Sequence, residues 1–467
     1  MLPTLPLIYT TTFLFLLGES LQPAPRISIY ESIVCRQHYQ HLHDGGGDTP
    51  KWDCKIPAVQ SELALLTGME RLSIIIPSLL AIPFAALADR YGHALVLRIA
   101  IFGVLLEDLY PLVVCWFPDV FPIRLIWLHF FFSLIGGGMT VVVSLLHVIV
   151  AESVETEERT GVFFRLRAAG VGATVLGYAG SGWLMKGTAG AWVAWSVGLG
   201  GLFLSMVTTM GLANTTCVSE VRMEEEEENL KTGGNWRRWI SEGVDFVNRV
   251  YALLGRNRQV LVVLVLVLLS QLGFDAVPLM LAIYVCKRFG WSFADASFLN
   301  SLEMLIELIT LIAILPLATY LLSRYPLSPF SKDAHIARTS LFLLSAGCLL
   351  LGLSPSIGPA ILGIVTIALG TGQDSVLRSM ATDMVEPNGV SIVYSAITMV
   401  RAIGGSISGP IYAGLYSAGL EAGESWLGLP YLVAGMLCGI AALGVLGLRD
   451  VGGYERVGGG EEEVREE

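Results

Sequence analysis

Apolar stretches about as long as a lipid bilayer is thick recur along the whole chain, and they limit the possible folds more than any other feature. A helix needs about 20 mostly apolar residues to cross the hydrocarbon core of a bilayer. Twelve stretches meet this requirement: Leu5–Leu21, Leu63–Ala88, Leu95–Phe117, Ile123–Val150, Val162–Met185, Ala189–Leu212, Val260–Tyr284, Phe293–Leu322, Ile336–Ser354, Ile357–Leu377, Val390–Tyr416 and Leu429–Leu448. A helix also satisfies its backbone hydrogen bonds internally, as lipid demands. The sequence therefore predicts an all-α membrane protein with twelve transmembrane helices.

Charged residues are scarce and unevenly distributed. Only 15% of the 467 residues are charged, against about 25% in soluble domains. Much of the net charge of −11 comes from acidic runs at Glu224–Glu228 and at 461–467. Such runs repel and stay in water, so they are expected in a linker and a tail. No basic patch with interleaved aromatic residues is present, so the lipid bilayer, and not nucleic acid, is the expected partner.

The first apolar stretch could also be a signal peptide, because it lies at the start of the chain. It lacks a basic segment before the apolar region, and Glu19 and Pro23 occupy the place where small residues would mark a cleavage site. We therefore predict that this stretch is retained as the first membrane span.

Lys and Arg are more frequent on one predicted side of the membrane than on the other. With a cytoplasmic N-terminus, the cytoplasmic connections and helix ends carry the basic residues of the linker and Arg90, Arg98, Arg159, Arg165, Arg167, Arg324, Lys332, Arg338, Arg378 and Arg449. The opposite side carries chiefly Arg36, Lys51, Lys55, Lys186, Lys287 and Arg288. Cytoplasmic loops carry the excess of positive charge, so both termini are predicted to be cytoplasmic. A plasma membrane is expected rather than a vacuolar one.

The spans divide into six, a long polar gap, and six. This spacing predicts an N-terminal half at 1–212, a cytoplasmic linker at 213–259, a C-terminal half at 260–449 and an acidic cytoplasmic tail at 450–467. The linker segment 236–239 reads Trp-Arg-Arg-Trp, and it can either lie on the membrane surface or be a plain solvated linker. Two membrane halves joined in this way are typical of transporters, with the binding site between the halves.

The connection after the second span carries a motif. Residues 85–97 read AALADRYGHALVL, which resembles the signature G-x-L-a-D-r-x-G-r-k-x-x-l of the major facilitator superfamily (MFS). Ala85 replaces the first glycine, and His93 and Ala94 replace the usual basic pair. An Asp-Arg pair at a helix end can form a charged latch, and glycine permits a tight reversal. We therefore predict a gating latch formed by Asp89, Arg90 and Gly92.

The resemblance to this superfamily covers nearly the whole chain and implies its fold and its alternating-access transport. The long first outside loop at Glu31–Gln60, IGGG at 135–138 and ERTGVFF at 158–164 are similar to a fungal, efflux-type branch. Two features depart from the proton-coupled members of the superfamily. Their arginine in the fourth span would fall near Ser133, and the glycine-proline signature of the fifth span is reduced to GYAGSG at 177–182.

Glu303 and Glu307 are the predicted proton-coupling residues. They lie one turn apart on one face of the eighth span, about 15–21 Å from its start. Two carboxyl groups at this depth are not expected to be ionised together, and a carboxyl that keeps a proton is what proton coupling needs. The alternative is a structural pair neutralised by Arg401 or by hydroxyl groups, so Arg401 belongs to this predicted set.

The resemblance implies that spans one, four, seven and ten line a central cavity. Six polar residues in these spans are therefore predicted to contact the solute: Glu19, His129, Gln271, Asp275, Gln373 and Asp374. Glu19 could instead be an outer-end residue that water reaches. Glu107 and Asp108 lie in the third span, which is peripheral in the superfamily, so a structural role at the outer mouth is expected for them.

The first predicted outside loop contains Cys35 and Cys54. They can form a disulfide or remain two thiols, and a disulfide is our prediction. The same loop contains three histidines, but a polar loop is a better interpretation than a metal site. We expect no metal and no cofactor. The sequon at Asn214 follows the sixth span on the cytoplasmic side, so it is expected to be unmodified.

The chain contains no motif of a membrane enzyme, neither H-E-x-x-H nor G-x-S-x-G nor a P-loop. We therefore predict a monomeric secondary active transporter of a small organic solute that is coupled to protons. A facilitative uniporter and a non-transporting solute sensor are the alternatives. The residues identify neither the solute nor the direction of transport.

Overall fold

A computed structural model describes residues 4–42, 52–72, 75, 77, 84, 87–88, 90–154, 156–187, 190–212, 258–326, 328–385 and 390–448. The predicted tail at 450–467, and all but the last two residues of the predicted linker at 213–259, lie outside these ranges. Within them, the regular structure is helical throughout. The helices of the first half are α1 (Thr4–Leu21), α2 (Pro23–Leu42), α3 (Pro57–Leu72), α4 (His93–Trp116), α5 (Gly138–Ser153), α6 (Thr156–Lys186) and α7 (Gly190–Thr209).

The second half contains α8 (Arg258–Phe289), α9 (Phe293–Ile309), α10 (Leu315–Ser323), α11 (Pro329–Gly352), α12 (Ile357–Leu369), α13 (Gln373–Asp383), α14 (Val390–Ala422) and α15 (Leu429–Gly444). In the part of the chain that the structure describes, nine helical segments are long and apolar enough to cross a membrane. The predicted fold class, an all-α membrane protein, is confirmed. The count of twelve spans stays a prediction.

Three predicted spans are not continuous α-helices, because 3₁₀ or π-helical segments or short turns interrupt them. The span predicted at Ile123–Val150 begins as a 3₁₀-helix and is interrupted before α5 at Gly137 and Gly138, which have φ of 78° and 69°. The span at Ile357–Leu377 is interrupted between α12 and α13, where a Cβ on Gly370 would lie 2.6 Å from the carbonyl oxygen of Ser340. A π-helical turn separates α9 from α10. Glycines that favour positive φ or permit close approach explain the first two interruptions.

The predicted outside loop at Glu31–Gln60 is partly wrong, because α2 continues through it to Leu42. This helix is too polar to be a span, but it is amphipathic. Ile29, Tyr30, Ile33 and Val34 are buried on one side of it, at the spacing that places side chains on one helix face. A search for continuous apolar stretches does not detect such a helix.

The packing of the first half is repeated in the second half. Helix α1 packs against α6 and α7, and α8 packs in the same way against α14 and α15. The pattern Leu-Gly-x-x-x-x-Pro begins at Leu17 in α1 and at Leu272 in α8. In both cases the glycine lies against the last helix of its own half. A Cβ on Gly18 would lie 2.8 Å from the Gly198 carbonyl oxygen, and one on Gly273 would lie 3.0 Å from that of Ala434.

The two halves meet along two helix pairs, α3 with α14 and α6 with α9. In the first pair, a Cβ on Gly68 would lie 2.6 Å from the carbonyl oxygen of Gly409, so the two backbones are nearly in contact. In the second pair, the Ser297 hydroxyl donates to the Tyr178 carbonyl oxygen at 2.7 Å, and that of Ser301 donates to the Val175 carbonyl oxygen at 2.9 Å. Both pairs bring the two halves into direct contact.

Buried apolar residues form a shared core at one end of the bundle only. The largest cluster lies at the end that carries Cys35, and it combines α2 and α3 of the first half with α8, α9 and α14 of the second. The two other clusters lie toward the opposite end, and each draws on one half, residues 8–212 or 260–445. Among the described residues, the halves therefore share an apolar core at the Cys35 end and have separate cores at the other end.

Candidate functional site

Charged side chains from both halves meet in the middle of the bundle. Arg71 of α3 lies 3.8 Å from Oδ1 of Asp275 on α8, and the same oxygen accepts a hydrogen bond of 3.0 Å from the Gln271 amide. Asp275 is 2% exposed, and its other oxygen, Oδ2, has no hydrogen-bond donor among the residues that the structure describes. The nearby Ser408 hydroxyl donates instead to the Gly405 carbonyl oxygen at 2.7 Å. The arrangement leaves one buried carboxylate oxygen open to a donor.

Glycine keeps this oxygen accessible to a second group. A Cβ at position 405 would lie 3.5 Å from Oδ2 of Asp275, and a Cβ at position 404 would lie 3.3 Å from Cγ of Gln271. Since neither glycine carries a side chain, the face of α14 next to Asp275 is bare backbone. Asp275 and Gln271, two predicted solute contacts, therefore lie together at the junction of the halves.

The predicted pair Glu303 and Glu307 lies at the second junction between the halves. Glu307 of α9 pairs with Arg167 of α6 at 3.7 Å. Glu303 is 4% exposed, lies one helical turn from Glu307, and has no ion pair with any residue that the structure describes. An unpaired charge at this depth is costly, so Glu303 is a carboxyl group whose burial favours the neutral form.

The predicted grouping of Arg401 with these two glutamates is corrected by the structure. Arg401 forms an ion pair with Asp374 of α13, which also accepts a hydrogen bond of 3.2 Å from Arg378. The reason is the interruption between α12 and α13, which brings the start of α13 to α14. Arg167 occupies the role that had been expected of Arg401. Asp374 is therefore held by two arginines.

Gln373 begins α13 immediately after that interruption. It is 6% exposed, and its amide oxygen has no hydrogen-bond donor in the described part of the chain. Like Oδ2 of Asp275, it is a buried acceptor that a solute or water can satisfy.

Two predicted solute contacts, His129 and Glu19, lie inside the first half. His129 Nδ1 is 3.2 Å from a carboxylate oxygen of Glu107, and the buried Glu19 carboxyl group lies near Asp108. Both acidic partners belong to α4, for which a peripheral role had been expected. Asp108 is buried, at 8% exposed, so it is not a solvated surface residue.

Arg26 links the acidic groups of this first-half network. Its guanidinium lies 3.4 Å from Glu70 and 3.6 Å from Asp108. Gln22 donates to Asp108 at 3.0 Å and accepts a hydrogen bond of 3.0 Å from the indole of Trp195. The network thus joins α2, α3, α4 and α7.

The sequence reasoning missed Arg26, Glu70, Arg71 and Arg167. A usable signal existed for three of them, because Glu70 and Arg71 lie inside the predicted span Leu63–Ala88 and Arg167 lies inside Val162–Met185. Charge within a span is a functional hypothesis by default, and applying that rule to every span would have selected all three.

The predicted latch is described in part. Asp89 lies outside the described residues. Arg90 is exposed, with its guanidinium 5.3 Å from the centre of the Tyr91 ring, and Gly92 has φ of 98°, a conformation that favours glycine. His93 lies 3.2 Å from Glu152 at the end of α5. The motif therefore connects α4 to α5 through a histidine where the superfamily has arginine.

The opposite end of the bundle carries a cap formed by α2 and the segment before α3. A disulfide joins Cys35 to Cys54, and Arg36 pairs with Asp119 at 2.8 Å. Lys55 pairs with Glu31 at 2.6 Å. The carbonyl oxygen of Lys55 accepts a hydrogen bond from the Lys287 ammonium of the second half. The cap is thus attached to both halves at the end where they share a core.

A sequence model of the Major Facilitator Superfamily matches residues 59–409. The chain belongs to the Major Facilitator Superfamily. Among curated relatives, the MFS efflux pump atnC of Emericella nidulans is 31% identical over 91% of this chain and 84% of its own length. The efflux pump ustT of Aspergillus flavus is 30% identical over 86% of this chain and 79% of its own. The expected resemblance to fungal efflux-type members of the superfamily is confirmed.

Solved structures agree with the MFS fold. The nucleoside transporter NupG superposes with a TM-score of 0.65 over 94% of this chain and 99% of its own, at 12% identity. A D-xylose–proton symporter gives a TM-score of 0.61 over 94% and 96%, at 14% identity. At these identities the likeness concerns the fold alone. The chain is thus a multi-pass membrane protein with the architecture of MFS transporters.

Proposed function

We propose that this MFS protein is a secondary active exporter of a small organic solute, coupled to protons and working by alternating access. Two ion pairs between the halves, Arg71–Asp275 and Arg167–Glu307, carry the proposal. They lie beside Glu303, which has no ion-pair partner in the described part of the chain. Each ion pair joins the two bodies that must separate during transport, so solute or protons that compete for these carboxyl groups change the contact between the halves.

Asp275 is the proposed centre of solute binding. Its Oδ2 has no donor within the described ranges, and Gln271 and Arg71 contact the other oxygen of the carboxylate. A solute with an N–H or O–H donor supplies the missing hydrogen bond, and charge-assisted hydrogen bonds of this kind are the stronger ones. Gln373 offers a second buried acceptor.

Glu303 is the proposed proton carrier. It is buried next to Glu307, and Arg167 neutralises only the latter. A proton on Glu303 removes the unpaired charge in the conformation described here. When the halves rearrange and water reaches the carboxyl group, the proton can leave, and its movement is thereby linked to that of the solute.

Six-helix halves at 1–212 and 260–449 with cytoplasmic termini remain part of the proposal, and the repeated packing of α1 and α8 supports them. In this orientation the cap faces the outside, where a disulfide persists. The shared core then closes the outer end. A plasma-membrane location and a monomeric protein are also part of the proposal. Export is favoured because two relatives, atnC and ustT, are efflux pumps.

The test uses the purified protein in liposomes that contain a pH-sensitive dye. A panel of small organic solutes is added with and without an imposed pH gradient, and proton and solute fluxes are measured together. Coupled flux supports the proposal, solute flux that ignores the gradient identifies a uniporter, and binding without flux identifies a sensor. Glu303→Gln should abolish gradient-driven accumulation, while Glu421→Gln, at the exposed end of α14, is the matched control.

A further inference from the structure

Three arginines lie where α3, α8, α13 and α14 meet, and the proposed function does not use their excess of positive charge. Arg71 of α3 lies 3.8 Å from Asp275 of α8. Arg378 of α13 and Arg401 of α14 both pair with Oδ1 of Asp374, the former at 3.2 Å. Within the described ranges, three guanidinium groups thus have two carboxylate partners.

One face of α14 brings this group together. Arg401, Gly405 and Gly409 follow one another at intervals of four residues, so they share a helix face. A Cβ at position 409 would lie 2.7 Å from Cβ of Arg71, and one at position 405 would lie 3.5 Å from Oδ2 of Asp275. The three positions of α14 span about 12 Å along the helix. The open carboxylate oxygen therefore lies along this face between the positions of the two arginines.

Arg71 has N–H groups to offer a ligand. Its side chain is 39% exposed, whereas that of Asp275 is 3% exposed. At 3.8 Å the contact between them is too long for a hydrogen bond, and Arg71 has no other polar partner among the described residues. It lies about 21 Å from the start of α3 at Pro57. A partly exposed charge at that depth borders the space between the halves, and its planar fork of donors matches a carboxylate.

The charge of the described residues at this junction is positive by one. The two arginines that hold Asp374 share a single carboxylate oxygen, and their side chains are 30% and 29% exposed. At the second junction Arg167 neutralises Glu307, and Glu303 is proposed to carry a proton, so that junction adds no charge. A solute with one negative charge balances the excess, whereas a cation would increase it.

We infer that the solute carries both a carboxylate and an N–H or O–H donor, as an amino acid or a hydroxy acid does, and that it bridges Arg71 and Asp275. The carboxylate binds the guanidinium of Arg71 in the first half. The donor supplies the hydrogen bond to Oδ2 of Asp275 in the second half. The inference rests on the proposed function for the site at Asp275, but it depends neither on proton coupling nor on the direction of transport.

Binding of matched probes to the purified full-length protein in lipid nanodiscs, measured by calorimetry without a pH gradient, tests the inference. Phenyllactate has both groups, its methyl ester keeps only the hydroxyl donor, and phenylpropanoate keeps only the carboxylate. Phenyllactate should bind about 10-fold or more tightly than either, because each of the others lacks one hydrogen bond to a charged group. Phenyl phosphate, a dianion at neutral pH, should bind no more tightly than phenylpropanoate.

Variants assign the preference to Arg71. Arg71→Gln combined with Asp275→Asn removes one charge of each sign, so no unpaired buried carboxylate is left to unfold the protein. This double variant should lose the preference for phenyllactate over its methyl ester. Asp275→Asn alone should weaken the binding of both and keep the preference. Arg324→Gln, at the exposed end of α10, is the matched control and should bind all probes as the wild type does.

The inference is overturned if phenyllactate binds no more tightly than its methyl ester, which includes the case in which neither binds. It is also overturned if phenyl phosphate binds most tightly or if the double variant keeps the preference. Preferential binding of the acid without proton-coupled flux would support this inference and contradict the proposed function. Coupled flux of solutes without a carboxylate, and with no preference for the acid, would do the reverse.

Discussion

Replacing Gly68 by alanine tests whether the contact between α3 and α14 holds the capped end of the bundle closed. A Cβ at position 68 would lie 2.6 Å from the carbonyl oxygen of Gly409 and 2.7 Å from Cβ of Ala413. Because one obstacle is backbone, a rotamer change cannot relieve the overlap, and the two helices must separate. Overpacking of this kind costs about 1–3 kcal/mol.

This cost applies only to the conformation in which α3 and α14 touch. The ratio of the closed to the open form of the capped end should therefore fall about 5- to 140-fold in Gly68→Ala, at 1.4 kcal/mol for each factor of ten. Gly414→Ala is the matched control, because it lies on the same helix α14 and its added Cβ would meet nothing within 4 Å.

The ratio can be followed by cysteine cross-linking on the same helix pair. The hydroxyl oxygens of Ser61 and Ser417 are 2.7 Å apart, so Ser61→Cys combined with Ser417→Cys should cross-link readily in the closed form. The native free cysteines that the structure describes are all buried and should not compete: Cys115, Cys286, Cys348 and Cys438. Gly68→Ala should slow the cross-link and Gly414→Ala should not. Equal rates in the two backgrounds would refute the reasoning.

Three further predictions follow from the site, the cap and the latch. Asp275→Asn should weaken solute binding, measured as a rise in KM, more than it changes the pH response of transport, and an unchanged KM would remove Asp275 from the binding site. The double substitution of Cys35→Ser and Cys54→Ser removes a disulfide between residues 19 positions apart and should lower the free energy of unfolding by about 3 kcal/mol. Thermal denaturation measures this change, and an unchanged midpoint would contradict the prediction. Asp89→Asn should reduce flux while the protein remains in the membrane, so normal flux would show that the motif has no gating role.

The sequence was sufficient to predict the membrane class, because the apolar stretches are long and each helix forms locally. It was also sufficient to pair Glu303 with Glu307, because one-turn spacing fixes neighbours on a helix whatever the tertiary structure. The family resemblance correctly placed the chain in the superfamily, which no single motif would have shown.

The partners of these carboxyl groups could not be predicted in the same way. Arg167 lies 140 residues from Glu307 along the chain, and Arg71 lies 204 residues from Asp275. Only the packing of α6 on α9, and of α3 near α8, brings them together. Arg401 was the nearer arginine in sequence, but the interruption of the helix before Gln373 gave it a different partner. Side chains that meet through tertiary contacts leave no periodic signal.

The acidic residues of α1 and α8 do not occupy the same position of the repeated Leu-Gly-x-x-x-x-Pro pattern. Glu19 follows its glycine directly, whereas Asp275 lies one position later. Ser20, and not Glu19, is the counterpart of Asp275: Ser20 lies against Gly177 of α6 as Asp275 lies against Gly405 of α14. A shift of one residue turns a side chain by about 100° around a helix. Glu19 therefore lies within its own half, near Asp108 and Glu107 of α4, whereas Asp275 lies across the junction from Arg71. The same helical pattern thus serves two purposes. In the first half its acidic residue stays within that half, and in the second half its acidic residue contacts the other half.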